Sequence, residues 1–214
     1  MCYTSGHFIC SLHSLHRNLT NNNITDIVLI KIRLSDQHLF FIFTVASNTE
    51  LIEMNLKHND AFAIGVLSDT HGYLSPNISK VFQNVDTIIH AGDIDNPNVL
   101  HTLSLMAPVV AVRGNMDSGA WVKALPVSEF IHVGKTYIYV IHDHLRLDID
   151  PVPSDIRVVI FGHTHEPYVH EDKSGVLFLN PGSASLPRKG QSASVALLEI
   201  TGDAHHVTLV DLDK

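Results

Sequence analysis

Five short apolar runs constrain this chain more than any other feature, because each breaks off at residues able to hold a metal ion. Ala63-Ile64-Gly65-Val66-Leu67 runs into Ser68-Asp69-Thr70-His71-Gly72, and Thr87-Ile88-Ile89-His90 into Ala91-Gly92-Asp93. Val109-Val110-Ala111-Val112 runs into Arg113-Gly114-Asn115-Met116-Asp117. Tyr137-Ile138-Tyr139-Val140-Ile141 ends in His142-Asp143-His144, and Arg157-Val158-Val159-Ile160 in Phe161-Gly162-His163-Thr164-His165. The runs are continuous and rich in β-branched residues, as strands buried on both faces are. The carboxyl ends of such strands are where ligands sit in open α/β sheets.

Those ends supply seven donors: Asp69, His71, Asp93, Asn115, His142, His163 and His165. Nitrogen and oxygen donors without sulfur suit Mn²⁺, Fe or Zn²⁺. Seven are more than one tetrahedral ion needs. Each residue also has a plainer reading. Asp69 could be a turn carboxylate, Gly92-Asp93 a helix cap near Asn96-Pro97, and Asn115 a left-handed turn residue. None of these explains the array. His90 lies inside its strand and reads as a core histidine that could orient Asp93. Arg113 could bind phosphate or pair with Asp117 or Asp86.

In this order and spacing, Asp69-x-His71, Gly92-Asp93, Gly114-Asn115, His142 and Gly162-His163-x-His165 resemble the calcineurin-like metallophosphoesterases, over about residues 61 to 214. The short spacing and Asn180-Pro181-Gly182-Ser183 look like the small bacterial and archaeal phosphodiesterase branch. The resemblance implies a four-layer αββα sandwich of two mixed sheets, of α/β (α+β) class. It implies two divalent ions, Mn²⁺ foremost, with Fe, Zn²⁺ or Ni²⁺ as alternatives. One ion would take Asp69, His71, Asp93 and His165; the other Asp93, Asn115, His142 and His163, with Asp93 as the bridge. The implied reaction is hydrolysis of a small phosphodiester, or a phosphomonoester, by a hydroxide held between the metals. Asp93, Asn115 and His142 would be its catalytic residues, and Arg113 and His144 would touch substrate.

Two departures stand out. Many relatives carry His after Gly-Asn, where it is thought to help the leaving group; here Met116 stands there and cannot transfer a proton. Good leaving groups, and so diesters, are therefore expected. Where the family commonly reads His-Gly-His, this chain reads His142-Asp143-His144, which adds a negative charge beside the site. Two other function classes compete. A retromer subunit of this fold serves protein assembly with altered metal positions, but this chain keeps all seven donors. DNA-repair nucleases of the superfamily carry capping elements and the His that Met116 replaces.

The net charge of −8 and the lack of a basic tract argue against a dedicated nucleic-acid surface. Residues 1–60 are a different text, rich in Asn, Ser, Thr and His, and hold both cysteines, Cys2 and Cys10. We expect a poorly packed extension before a domain at 61–214, with Met54 a natural start. Leu39–Ala46 is apolar but too short to span a bilayer, and lies too far from Met1 for a signal peptide. A cytoplasmic protein without a membrane partner is expected. Beyond His165, two hairpins are predicted around Asp172–Gly175 and Thr201–Asp203 and assigned to the second sheet. Helices are predicted near Pro76–Gln83 and Pro97–Met106, and none across Leu145–Ile156, where Pro151 and Pro153 interrupt. A free edge strand in either sheet could pair in a homodimer.

Overall fold

The structure, a computed structural model, describes residues 61–213 and the strand Ile52–Met54. The other expectations for residues 1–60 lie outside the described residues. The chain runs β1 (Ile52–Met54), β2 (Phe62–Leu67), α1 (Ile78–Val81), β3 (Thr87–His90), α2 (Pro97–Ser104) and β4 (Val109–Ala111). Then come β5 (Ser128–Val133), β6 (Thr136–Ile141), β7 (Ile156–Ile160), β8 (Pro167–Glu171), β9 (Leu177–Pro181), β10 (Ser194–Thr201) and β11 (Ala204–Asp211).

Two mixed sheets result, ordered β11-β10-β2-β3-β4 and β1-β5-β6-β7-β9-β8. Strands β2, β3 and β4 are parallel neighbours, as are β6, β7 and β9. The sheets face one another across one core. Phe62, Ile64 and Val66 of β2 and Ile89 of β3 meet Ile138 and Val140 of β6 and Val158 and Ile160 of β7. The alternate residues face outward and are buried too. Ile88 lies under α1 and α2 with Ile78, Phe82, Val99 and Leu103. Tyr139, Ile141 and Val159 lie under Leu147 and Ile149. Burial on both faces is why these runs are continuously apolar.

Helix α2 begins where predicted: Asn96 caps it by accepting from Asn98 N at 3.0 Å, and Pro97 occupies its first turn. The segment after His142 forms only a 3₁₀ turn at His144–Arg146. The expectation for the hairpins needs correcting. β8–β9 joins β7 in the second sheet, but β10–β11 joins the first, with β10 antiparallel to β2. β10 is apolar on both faces (Val195, Ala196, Leu198 and Ile200 are all buried), so it takes an inner position and leaves β11 at the edge. Strand β5, whose exposure alternates only at its end, has no strong signature in the sequence and pairs with β6 around Gly134-Lys135. No helix among the described residues is long and apolar enough to cross a membrane.

Candidate metal centre

Three donor segments leave the first sheet, after β2, β3 and β4; two leave the second, after β6 and β7. Backbone hydrogen bonds stitch the segments together. Asp69 N donates to Gly92 O (3.0 Å), His71 N to Asp93 O (3.1 Å) and Gly162 N to His142 O (2.9 Å). His163 N donates across the sheets to Asp69 Oδ2 at 3.1 Å. Asp69, His71, Asp93, His163 and His165 all have positive φ, between 45° and 68°. That conformation is uncommon for residues with a side chain, and it clusters at functional sites. The glycines of the motifs are where the segments touch. A Cβ on Gly162 would collide with Ser68 and Asp69, and one on Gly114 with Asp93.

The seven donors gather as two neighbouring groups. In the first, His71 Nε2 lies 3.3 Å from His165 Nε2, which lies 3.3 Å from Asp69 Oδ1. In the second, His142 Nε2 is 3.3 Å from Asp93 Oδ2 and 3.1 Å from Asn115 Oδ1, and His163 Nδ1 is 2.8 Å from the same Asn115 oxygen. One donor atom each from Asp69, Asp93 and His142 also lie within 4.8 Å of one another, which joins the groups.

The first group is arranged for a cation. His71 Nδ1 lies 2.9 Å from Asp95 Oδ2, and His165 Nδ1 lies 2.6 Å from Leu186 O. Each ring therefore donates its proton at Nδ1 and presents a bare lone pair at Nε2. Outer partners fix the ring this way in metal-ligating histidines. The two lone pairs face each other and Asp69 Oδ1, a buried oxygen with no hydrogen-bond partner. Three acceptors converge with no donor between them, which is unfavourable unless a positive ion lies there. The donor set thus fits divalent metal.

The electrostatics of the site agree. Burial raises the Asp69 carboxyl above its usual range, against the Ser68 hydrogen bond and the nearby histidines. Burial would raise Asp93 too, but the hydrogen bonds from His142 and the Met116 amide hold it below that range. His142 is raised: burial opposes charge, yet Asp93 and Asp69 overcome it. His142 Nδ1 also donates to Ala91 O at 2.7 Å.

The remaining expected residues fall as follows. His90 is fully buried, accepts from Gly92 N at Nδ1 (3.2 Å) and faces Thr70 Oγ1 at Nε2 (3.0 Å), so it supports the turn before Asp93. Burial, with the charge of His142, lowers its pKa to about 3. Arg113 pairs with neither expected carboxylate. Asp86 accepts from Ala63 N, and Asp117 from the amides of Ile94, Asp95 and Gly114. Arg113 instead lines a cavity of about 440 Å³ with Asn115, His142, Asp143, Arg146 and His163. His144 lies against Phe161 (ring centroids 4.6 Å apart) and lines a second cavity with Tyr168 and Phe178. Asn180 and Ser183 form a wall: Asn180 Nδ2 donates to Gly162 O (2.8 Å) and Ser183 Oγ to Asp69 O (2.8 Å).

Sequence reasoning did not assign the roles of Asp95, Asp117 and Arg146. The carboxylates carry a faint signal, as acidic residues two positions beyond Asp93 and Asn115.

Known proteins place this arrangement in a family. Residues 62–203 match the calcineurin-like phosphoesterase superfamily domain. A probable metallophosphoesterase of Methanocaldococcus jannaschii is 40% identical over 138 residues, covering 58% of this chain and 69% of its own length. A second protein of that organism, named a phosphodiesterase, is 35% identical over 138 residues, covering 56% of this chain and 82% of its own. Among solved structures, a single mutant of Vps29 from Entamoeba histolytica superposes with a TM-score of 0.57 at 23% identity, over 70% of this chain and 99% of that one, which speaks for the fold alone. This chain belongs to the calcineurin-like phosphoesterase superfamily.

Proposed function

We propose that this protein hydrolyses phosphodiesters, and phosphomonoesters less well, with two divalent metal ions bound at the seven donors. The supporting observation is the convergence of His71 Nε2, His165 Nε2 and Asp69 Oδ1 with no donor between them. Asp69, His71, Asp93 and His165 hold one ion, and Asp93, Asn115, His142 and His163 the other; Mn²⁺ is the first candidate, then Fe, Zn²⁺ or Ni²⁺. Such a pair of ions supplies a water acidified to near neutrality and offsets charge on the phosphoryl oxygens. The protein's own groups do the positioning. Met116 N and His142 fix the two oxygens of Asp93. Asp95, Leu186 and Ala91 set the tautomers of three histidines. Arg113 attracts the anionic groups of the substrate from the cavity wall. His144 touches only substrate groups that reach the second cavity. Met116, exposed at the site, offers no proton to a leaving alkoxide. That favours diesters with good leaving groups.

The test is hydrolysis of bis-p-nitrophenyl phosphate against p-nitrophenyl phosphate by metal-stripped protein, with Mn²⁺, Ni²⁺, Zn²⁺ or Mg²⁺ restored. Metal-restored turnover, faster on the diester and lost in Asp93→Ala, is expected. Folded protein inactive with every metal would overturn the proposal and favour a protein-binding role on this fold.

A further inference from the structure

Two of the four arginines among the described residues line one cavity, and it is the cavity bounded by the donors Asn115, His142 and His163. The other two have local partners: Arg157 pairs with Asp155 (3.3 Å), and Arg188 donates to Thr164 O (2.8 Å). Arg113 follows β4 in the first sheet, while Arg146 follows β6 in the second, so the two residues line the cavity from opposite sheets. Arg146 is tethered by Asp143, the residue that departs from the family's glycine. One Asp143 oxygen caps the 3₁₀ turn by accepting from Leu145 N (3.0 Å), and the other faces Arg146 Nε at 3.4 Å. Asp143 thus sets the turn that brings Arg146 to the cavity, and its charge is matched there.

A scissile diester carries one negative charge, which the proposed metal ions already offset. The chain is otherwise acidic, at −8, and would repel any further anion on the substrate. In this cavity two arginines face one carboxylate, Asp143, which leaves a local excess of positive charge, and the planar geometry of a guanidinium matches phosphate or carboxylate oxygens.

Resting on the phosphodiesterase reading, we propose that Arg146, with Arg113, binds a second anionic group of the substrate. The protein is then specific for phosphodiesters that carry another phosphate or carboxylate beyond the bond it cuts. Arg146 is the specificity-determining residue, and its side chain is largely exposed, so replacing it does not disturb the core.

The experiment compares two esters that differ by one anion: thymidine 5′-(p-nitrophenyl phosphate) and the same compound with a 3′-phosphate. The readout is the ratio of their kcat/KM values on Mn²⁺-loaded protein. A charge-assisted contact predicts a wild-type ratio of about tenfold or more in favour of the 3′-phosphate. We expect most of it in KM, a fall to near unity in Arg146→Ala, and partial recovery in Arg146→Lys. A wild-type ratio near unity overturns the proposal. So does a ratio that survives in Arg146→Ala, including the case where both esters slow equally. Turnover of the plain ester without preference leaves the phosphodiesterase reading standing while the second-anion site falls. Loss of turnover on both esters in wild-type protein removes both.

Discussion

Single residues in this protein are held in states that cost stability and serve binding. Asp69 is buried, one of its oxygens has no donor, and burial raises its pKa. Removing that charge should therefore stabilise the metal-free protein. Asp69→Asn is expected to raise its melting temperature by about 2–4 °C for each kcal/mol recovered, and to abolish metal binding. Calorimetry with and without Mn²⁺ checks both; a lower melting temperature for the metal-free variant sinks the argument. His90 has the opposite linkage sign from a paired histidine. Its folded pKa of about 3 lies below the unfolded value, so the unfolded chain takes up a proton that the native state refuses. Its contribution is intact above the unfolded pKa of about 6.5 and is lost as pH falls from there toward 3, by up to about 1.4 kcal/mol per pH unit. His90→Asn, which can still accept from Gly92 N, should flatten the acid limb of denaturant-derived stability against pH. An unchanged slope would count against a neutral buried His90.

Between elements, the strand-end segments depend on one another more than on their own strands. Asp117 joins the segments after β3 and β4 by accepting from the amides of Ile94, Asp95 and Gly114, at 2.7–2.8 Å. Asp117→Ala should cost about 2 kcal/mol, since some of these amides are solvated when freed. It should also weaken metal affinity, because Asp93 and Asp95 lie on the released segment. Titration calorimetry with Mn²⁺ reads this; unchanged affinity would make Asp117 a stability residue only. Gly162 is a sharper case, since a methyl group there meets Ser68 and Asp69 from the other sheet. Gly162→Ala should cost about 1–3 kcal/mol by overpacking and lose metal binding, whereas Gly190→Ala, in open space, should keep it.

At the scale of the molecule, the site closes the open end of a two-sheet sandwich. Its donors come from both sheets, so metal binding ties the sheets together and should raise the stability of the whole domain. Mn²⁺ at 100 times its dissociation constant should add about 2.7 kcal/mol per site, seen as a melting temperature that climbs with metal concentration. A melting temperature indifferent to metal, in protein that binds it, would place the ions on a locally unfolding segment instead.

The five apolar runs and the seven residues that gather at their ends were legible in the sequence because both are local signals: a β-branched run buried on two faces, then Asp, Asn or His within a few residues. So were α2, with its Asn96-Pro97 start, and the absence of a helix across Pro151 and Pro153. The allotment of strands to sheets was not legible. β10 could join either sheet by pattern, and only its pairing with β2, some 130 residues earlier in the chain, decides it. The same holds for β5, for the amide clamp of Asp117 and for the meeting of Arg113 with Arg146. The sequence by itself determined which atoms can bind a metal, since donor chemistry belongs to the residue. Tertiary structure alone decided which lone pairs face one another, which imidazole nitrogen is free and which arginines share a cavity, because those follow from contacts between residues far apart in the chain.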